Sequence, residues 1–140
     1  MRRLALVLGA LLLVIAGVLL VLGPTVHAQV APNPAPLGIW RGTLVGVPSV
    51  TLTLADDTGS LDGTIVFYGL DGDTHQVASI EPHTLIHPKL DGNALTFQVR
   101  RLDATLITVK VVFTTPTKAE LHCLNCGDDA PIAELTKDTL

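Results

Sequence analysis

The sequence predicts an all-β domain, an antiparallel meander of seven to eight strands closed as a barrel or folded as a sandwich, preceded by an apolar N-terminal helix. Three observations lead to this prediction. A long uncharged segment stands near the start of the chain, and the residues after it alternate between apolar and polar with a period of two. Turns rich in Asp and Gly separate those runs at intervals of about 8–14 residues.

The first 28 residues have the order of parts of a signal peptide. Arg2 and Arg3 give a cationic start, Leu4–Leu22 carries no charge, and Val26-His27-Ala28 precedes a predicted cut before Gln29. The uncharged stretch has 19 residues, close to the ~20 that span a bilayer. The sequence therefore predicts an exported protein, periplasmic or extracellular. Its N-terminal segment is either cleaved or kept as an inner-membrane anchor, and in the second case residues 4–22 are its contact with the membrane.

A linker and one folded domain are predicted after this segment. Residues 29–36 contain three prolines among small residues, a composition typical of a semi-rigid extended spacer. The domain is expected over 37–140, long enough for a single hydrophobic core. After Ala28 the chain has 7 basic and 13 acidic residues, a net charge of −6, which argues against a nucleic-acid partner. We expect no cofactor, because the chain has no Gly-rich phosphate loop and no βαβ alternation.

Period-two alternation defines the strands of this domain. Val50, Leu52 and Leu54, for example, alternate with polar residues, so one face meets a core and the other meets water. β-branched residues, which suit pleated and half-buried surfaces, dominate the runs. The runs predict strands near 38–46, 49–55, 61–69, 74–81, 84–90, 94–102, 105–114 and 118–123, with a possible last one near 132–136.

The turns between the runs favour hairpins in sequence. Asp-Gly and Gly-Asn steps accept the positive φ values that tight hairpin turns require. Turn chemistry also explains the many aspartates better than a calcium loop does, because the bidentate Glu of such a loop is missing. The predicted turns are at 56–59, 71–73, 91–93 and 115–117.

The start of the domain carries a family resemblance. Gly38-Ile39-Trp40 opens the first strand, Arg41-Gly42-Thr43-Leu44 continues it, and Gly59-Ser60-Leu61-Asp62-Gly63-Thr64-Ile65 follows. This pattern, over roughly the first 30 residues of the domain, resembles the opening of calycin-type barrels, the lipocalin and avidin group. The resemblance implies an eight-stranded meander barrel in which Trp40 plugs one end, with Arg100 or Arg101 as candidates to pack over it. With one Trp and one Tyr, the chain carries no biotin site of the avidin kind.

A barrel of about eight strands either has a filled core or holds one small ligand. In the second case, inward-pointing residues are expected to line the site. These are Trp40, Ile65, Phe67, Val99, Val109 and Val111.

The pair Cys123 and Cys126 admits three interpretations. A structural disulfide suits an exported chain with two cysteines, and we favour it. A redox pair needs a helix N-terminus, whereas this motif ends a strand and enters an acidic turn. A zinc site including His122 lacks a second cysteine pair, so His122, Cys123 and Cys126 are weak candidates for metal binding.

Two further histidines, His83 and His87, stand beside Pro82 and Pro88. Because prolines in sheets belong on edges, we expect surface histidines on an edge strand. No Gly-x-Ser-x-Gly step occurs, and no pair of catalytic carboxylates can be nominated. The sequence therefore predicts a non-catalytic module that acts by binding or structural contact, with an unknown protein or a small apolar ligand as partner. The alternatives are a small apolar-ligand barrel and a metal- or redox-active protein.

Overall fold

Nine antiparallel strands form one sheet that curls into a nearly closed barrel in the computed structural model, which describes residues 36–139. The predicted all-β antiparallel class is confirmed, with nine strands where seven to eight were expected. The strands are β1 Gly38–Leu44, β2 Val47–Asp57, β3 Ser60–Leu70, β4 Val77–Thr84, β5 Ile86–Asp91, β6 Ala94–Arg100, β7 Leu106–Thr115, β8 Lys118–Cys123 and β9 Ala133–Lys137.

The expected N-terminal segment over 1–28 lies outside the described residues, as does the predicted linker except for Pro36. Within residues 36–139, no helix is long and apolar enough to cross a membrane.

The sheet order is β4-β3-β2-β1-β9-β8-β7-β6-β5. Neighbours in the chain are therefore neighbours in the sheet, and the first and last strands also pair, with Gly42 opposite Leu135. This pairing joins the two halves of the meander and leaves β4 and β5 as the two sheet edges. Pro82 and Pro88 lie on those edges, where a residue without an N–H costs no ladder hydrogen bond.

The two edges are joined by one residue, Leu85. Its side chain is buried, and its N–H donates to the Gly63 carbonyl at 3.1 Å. Residues 77–91 thus act as one bent strand, whose first half pairs with β3 and whose second half pairs with β6. The bend carries the chain from one sheet edge to the other, and the nine-stranded sheet forms a nearly closed barrel.

The predicted alternation places the core. On β2, β6 and β7, alternate residues are buried and the intervening ones are more exposed, as a strand with one wet face requires. Tight turns hold this register. Thr58 and Gly59 both have positive φ (54° and 85°), the geometry of a two-residue hairpin turn. The buried core comprises Trp40, Val50, Leu52, Leu54, Ile65, Leu85, Leu95, Phe97, Val99, Val109, Val111, Ala119, Leu121 and Leu135.

The barrel has two distinct ends. We call the end with the turns at 58–59, 92–93 and 116–117 the closed end, and the end with the connections at 45–46, 71–76, 101–105 and 124–132 the open end. Trp40 lies toward the closed end, 1% exposed, and its Nε1–H donates to the Pro36 carbonyl at 2.9 Å. Its ring packs on Phe113 with centroids 4.9 Å apart. Lys137 Nζ, rather than an arginine, lies 5.7 Å from the Trp40 ring centroid.

Candidate functional site

A cavity of about 390 Å³ occupies the open end of the barrel. Its volume lies within the roughly 300–1,000 Å³ range of small-molecule sites. Toward the closed end the interior is filled by packed side chains such as Trp40 and Phe97. The cavity is lined by Leu44, Ser49, Val50, Phe67, Tyr68, Gly69, Glu81, His83, Arg101, Ile107, Val109, Leu121, Cys123, Cys126, Ala130, Pro131 and Ala133.

Most of the cavity wall is apolar. The inward residues Val50, Val109 and Leu121 come from three different strands and belong to the buried core. Ala133, which pairs with Leu121 across the β8–β9 ladder, and Ala130 contribute only methyl groups to the lining. The small side chains of the barrel wall leave a cavity at the open end. Its apolar lining is chemically complementary to an apolar ligand.

Two polar side chains enter this apolar wall from β4. Glu81 pairs with Phe67 across the ladder and His83 pairs with Ile65. Because opposed residues of an antiparallel pair point to the same face, both polar side chains share the inner face with Phe67 and Ile65. The His83 side chain is only 8% exposed, its Nε2 lies 3.9 Å from Glu81 Oε2, and its ring centroid lies 5.8 Å from that of Phe67.

The expectation of surface histidines is therefore wrong for one of the two. His83 lines the interior cavity, whereas His87 is exposed on β5 as expected. Both residues do lie on edge strands. His83 turns inward because Glu81, His83 and Leu85 continue the period-two alternation of the inner face, and Leu85 is buried.

Other polar atoms at the open end are held by the protein itself. The Tyr68 hydroxyl lies 3.3 Å from Thr51 Oγ1. Ser49 Oγ is buried and, among the described residues, has no hydrogen-bond partner. It stands where the pairing of β1 with β2 shifts register between Gly42 and Thr43. The bulge brings Ser49 to the cavity lining, although the strict alternation of β2 would turn it outward.

The connections at the open end are ordered by aspartate side chains. Asp71 accepts hydrogen bonds from the Thr74 N–H (2.8 Å), the Thr74 hydroxyl (2.9 Å) and the Asp73 N–H (3.1 Å), and these lower the pKa of its carboxyl. Asp103 accepts from the Thr105 hydroxyl and N–H, which lower its pKa in the same way. Both carboxylates are turn elements. The sequence predicts this for Asp71, whereas Asp103 lies outside the predicted turns.

Cys123 and Cys126 form a disulfide, with Cα atoms 5.5 Å apart, and both line the cavity. The loop they close is fastened to β7. Asn125 Oδ1 accepts from the Thr108 N–H at 2.7 Å, and Asn125 Nδ2 donates to the Leu106 carbonyl at 3.1 Å. The bridge therefore fixes one side of the cavity mouth.

His122 is not brought together with the cysteines as a ligand set. It follows the inward Leu121 on β8, so it faces outward, and its Nε2 lies 3.3 Å from Glu120 Oε2. Within the described part of the chain, no group of three or more His, Cys, Asp or Glu side chains is arranged to hold a metal ion.

Exposed aliphatic side chains surround the cavity mouth. Four of the most exposed large apolar residues lie in the connections of the open end: Val45 at 87%, Leu102 at 86%, Leu124 at 57% and Ile132 at 54%. At the closed end, Ile39 is the exposed example, at 36%. The open end thus combines an apolar cavity with an apolar rim.

No protein-family model matches the chain, and neither the curated proteins nor the solved structures give a match. The case for its function therefore rests on the geometry of this cavity.

The structure divides the six residues expected to line a ligand site. Phe67 and Val109 line the cavity, while Trp40, Ile65, Val99 and Val111 belong to the buried core and are not among its lining residues. The alternation identified which residues face the interior, but it did not give the position of each residue along the barrel axis. The lining residues that sequence reasoning missed include Leu44, Val50, Glu81, His83, Ile107 and Leu121. For these missed residues, the sequence gave an indication only on β4. Glu81 and His83 stand four and two residues before Leu85, so period-two alternation places them on the same face as this apolar residue.

Proposed function

We propose that this chain is a non-catalytic, extracytoplasmic binding module whose barrel takes one small apolar ligand into the open-end cavity. The observation that carries the proposal is the contrast between the two ends of one barrel. The closed end is packed around Trp40, while the open end holds a cavity of about 390 Å³ with mostly apolar walls. A largely apolar pocket with a few convergent polar groups is the usual form of a small-molecule site.

The cavity is preformed, which favours binding. Antiparallel ladders hold β2, β3, β7 and β8, and the disulfide holds the adjoining loop. A ligand that enters therefore orders few side chains, and it gains about 25 cal/mol for each Å² of apolar surface removed from water. The exposed aliphatic residues at the mouth give such a ligand an apolar path into the barrel.

The proposal includes kinship with calycin-type barrels. Its support is the antiparallel meander of the nearly closed barrel, with Trp40 buried toward the end where the chain enters. Location outside the cytoplasm is also part of the proposal. It is supported by the order of parts over residues 1–28 and by the Cys123–Cys126 bridge, since disulfides persist in oxidising compartments.

The test measures uptake of N-phenyl-1-naphthylamine, a neutral dye whose fluorescence rises in apolar surroundings. Residues 1–140 are expressed, and the product is purified whether or not its N-terminal segment has been removed. Ala133→Phe places a ring in the cavity from β9, and Ala130→Trp does so from the adjoining loop. Thr136→Phe adds the same ring to the exposed side of β9 and is the matched control.

We expect saturable uptake of one dye per chain by the wild type and by Thr136→Phe, and its loss in both cavity-filling variants. Circular dichroism and thermal melting establish that each variant is folded. Absence of uptake by the folded wild type, or full uptake by both folded cavity-filling variants, would show that the cavity is not a ligand site.

A further inference from the structure

We infer that the ligand of this cavity is an amphiphile whose polar head donates a hydrogen bond and carries no negative charge, an alcohol or an amine rather than a fatty acid. The inference rests on the proposed function, because it assigns a head group to the ligand of the same cavity. The side chains that carry it are Glu81 and His83 on β4, which face into a mostly apolar cavity.

His83 is a largely enclosed polar group for which the described residues provide no hydrogen-bond partner. Its side chain is 8% exposed, and its nearest ionic contact, Glu81 Oε2, lies at 3.9 Å, beyond hydrogen-bond range. None of the hydrogen bonds among the described residues involves its ring. The His83 ring nitrogens are not among the fully buried side-chain atoms, so they reach the space of the cavity. A ligand head group there can bond to the imidazole in place of water.

Glu81 sets the character of that ligand. An ionised carboxylate only accepts hydrogen bonds, and it repels a second anion. Among the described residues, no Lys or Arg nitrogen lies within 4.0 Å of its oxygens. Arg101 also lines the cavity but forms no ion pair with Glu81. The Glu81 carboxylate can therefore accept a hydrogen bond from a ligand, and a hydroxyl or an ammonium group can donate one.

A hydroxyl satisfies both side chains at once. It donates to the Glu81 carboxylate and retains lone pairs for an N–H of the His83 ring. The apolar tail of the ligand then lies against the part of the cavity wall that Val50, Val109 and Leu121 provide. The division between a polar wall on β4 and an apolar wall elsewhere therefore orients an amphiphile, whereas a wholly apolar ligand would leave His83 unbonded.

The barrel contains its own matched control. Glu81 and His83 are two residues apart on the inner face of β4, and Glu120 and His122 are two residues apart on the outer face of β8. The Glu120 and His122 side chains are 48% and 29% exposed, compared with 36% for Glu81 and 8% for His83. Changes to the outer pair alter the charge by the same amount without touching the cavity.

The experiment measures displacement of N-phenyl-1-naphthylamine by three ligands of one chain length: 1-decanol, decylamine and decanoate. In the wild type we expect decanol or decylamine to displace the dye at concentrations about tenfold lower than decanoate, the scale of one hydrogen bond to a charged group. Glu81→Gln and His83→Phe should remove that preference while dye uptake remains. Glu120→Gln and His122→Phe should retain the preference, which separates the cavity from the acidic surface.

Two outcomes support the inference and distinguish which head group donates the hydrogen bond. Stronger displacement by decanol assigns an alcohol, and stronger displacement by decylamine assigns an amine. Equal or stronger displacement by decanoate overturns the inference, as does a preference that survives both Glu81→Gln and His83→Phe. Failure of the wild type to take up the dye at all is a different result, because it refutes the cavity function itself.

Discussion

His83 lies directly opposite Ile65 across the β3–β4 ladder. Ile65 is fully buried, so the pairing carries a histidine to the inner face of the barrel, with its side chain 8% exposed. The histidine of an edge strand thereby becomes part of a cavity wall. A substitution at His83 is therefore expected to affect ligand binding and the stability of the fold differently.

His83→Leu should stabilise the folded domain. The substitution replaces an imidazole that lacks a protein hydrogen bond with an apolar side chain of similar reach, and we expect a gain of about 1 kcal/mol in the free energy of unfolding. Urea denaturation provides the measurement. His122→Leu, on the outer face, should give no gain, and a loss of stability in His83→Leu would contradict our description of the site.

Gly63→Ala should destabilise the domain strongly. A Cβ at Gly63 on β3 would overlap the backbone carbonyl oxygen of Thr53 on β2, which cannot move without breaking the ladder. We expect a loss of about 2 kcal/mol or more, measured by urea denaturation. Gly72→Ala is the control because its Cβ would meet no atom within 4 Å. Equal midpoints for the two variants would refute this reading of the β2–β3 contact.

Val45→Asn should stabilise the turn between β1 and β2. Val45 has a φ of 52°, in the left-handed region where a β-branched side chain is strained and Asn is tolerated. We expect a gain of about 1 kcal/mol, seen as a rise in melting temperature of about 4–8 °C for a domain of this size. Val50→Asn, in the core, should instead lower the melting temperature. This control shows whether the gain depends on the backbone conformation at position 45 and not on the introduction of Asn as such.

Removal of the disulfide should cost modest stability. The bridge closes a loop of only four residues, so Cys123→Ser with Cys126→Ser should lose about 2 kcal/mol of chain-entropy stabilisation. Dye uptake should weaken but persist, because Asn125 still fastens the loop to β7. Denaturation of the double variant beside the reduced wild type tests this expectation. Complete loss of dye uptake with an intact fold would instead give the cysteines a direct role.

The Asp71 turn should contribute an acid-sensitive part of the stability. Hydrogen bonds from Thr74 and Asp73 lower the pKa of Asp71 below its ordinary value of 3.8. Its stabilising contribution is therefore present above about pH 4 and is lost as the pH falls through the folded-state pKa. Asp71→Asn, which keeps an oxygen acceptor but loses the charge, should show a smaller decline in urea midpoint between about pH 5 and about pH 2. Parallel curves for the two proteins would contradict this.

Much of the barrel was predictable because its information is local. The alternation of Val50, Leu52 and Leu54, or of Val109 and Val111, correctly predicted which residues face the core, since side chains on a strand alternate regardless of its partners. The turn residues likewise require only their own backbone angles, as Thr58 and Gly59 illustrate. Strand positions therefore follow closely from the sequence, including the ninth strand over 133–137.

The candidate site was only partly predictable because it depends on position along the barrel axis. Phe67 and Ile65 share one face and one strand, yet only Phe67 lines the cavity. Glu81 and His83 became inner residues when β4 paired with β3 in one particular register. A period of two identifies a face but carries no information about which residues meet across the barrel.

By itself, the sequence determined the all-β class and the antiparallel meander, and it favoured the disulfide between Cys123 and Cys126. Only the tertiary structure decided that β1 pairs with β9, that Leu85 bends one strand between two edges, and that the open end is hollow. The physical reason is the range of the interactions. Alternation and turn geometry act between neighbours in the chain, whereas closure and the depth of a side chain are fixed by contacts between residues far apart in it.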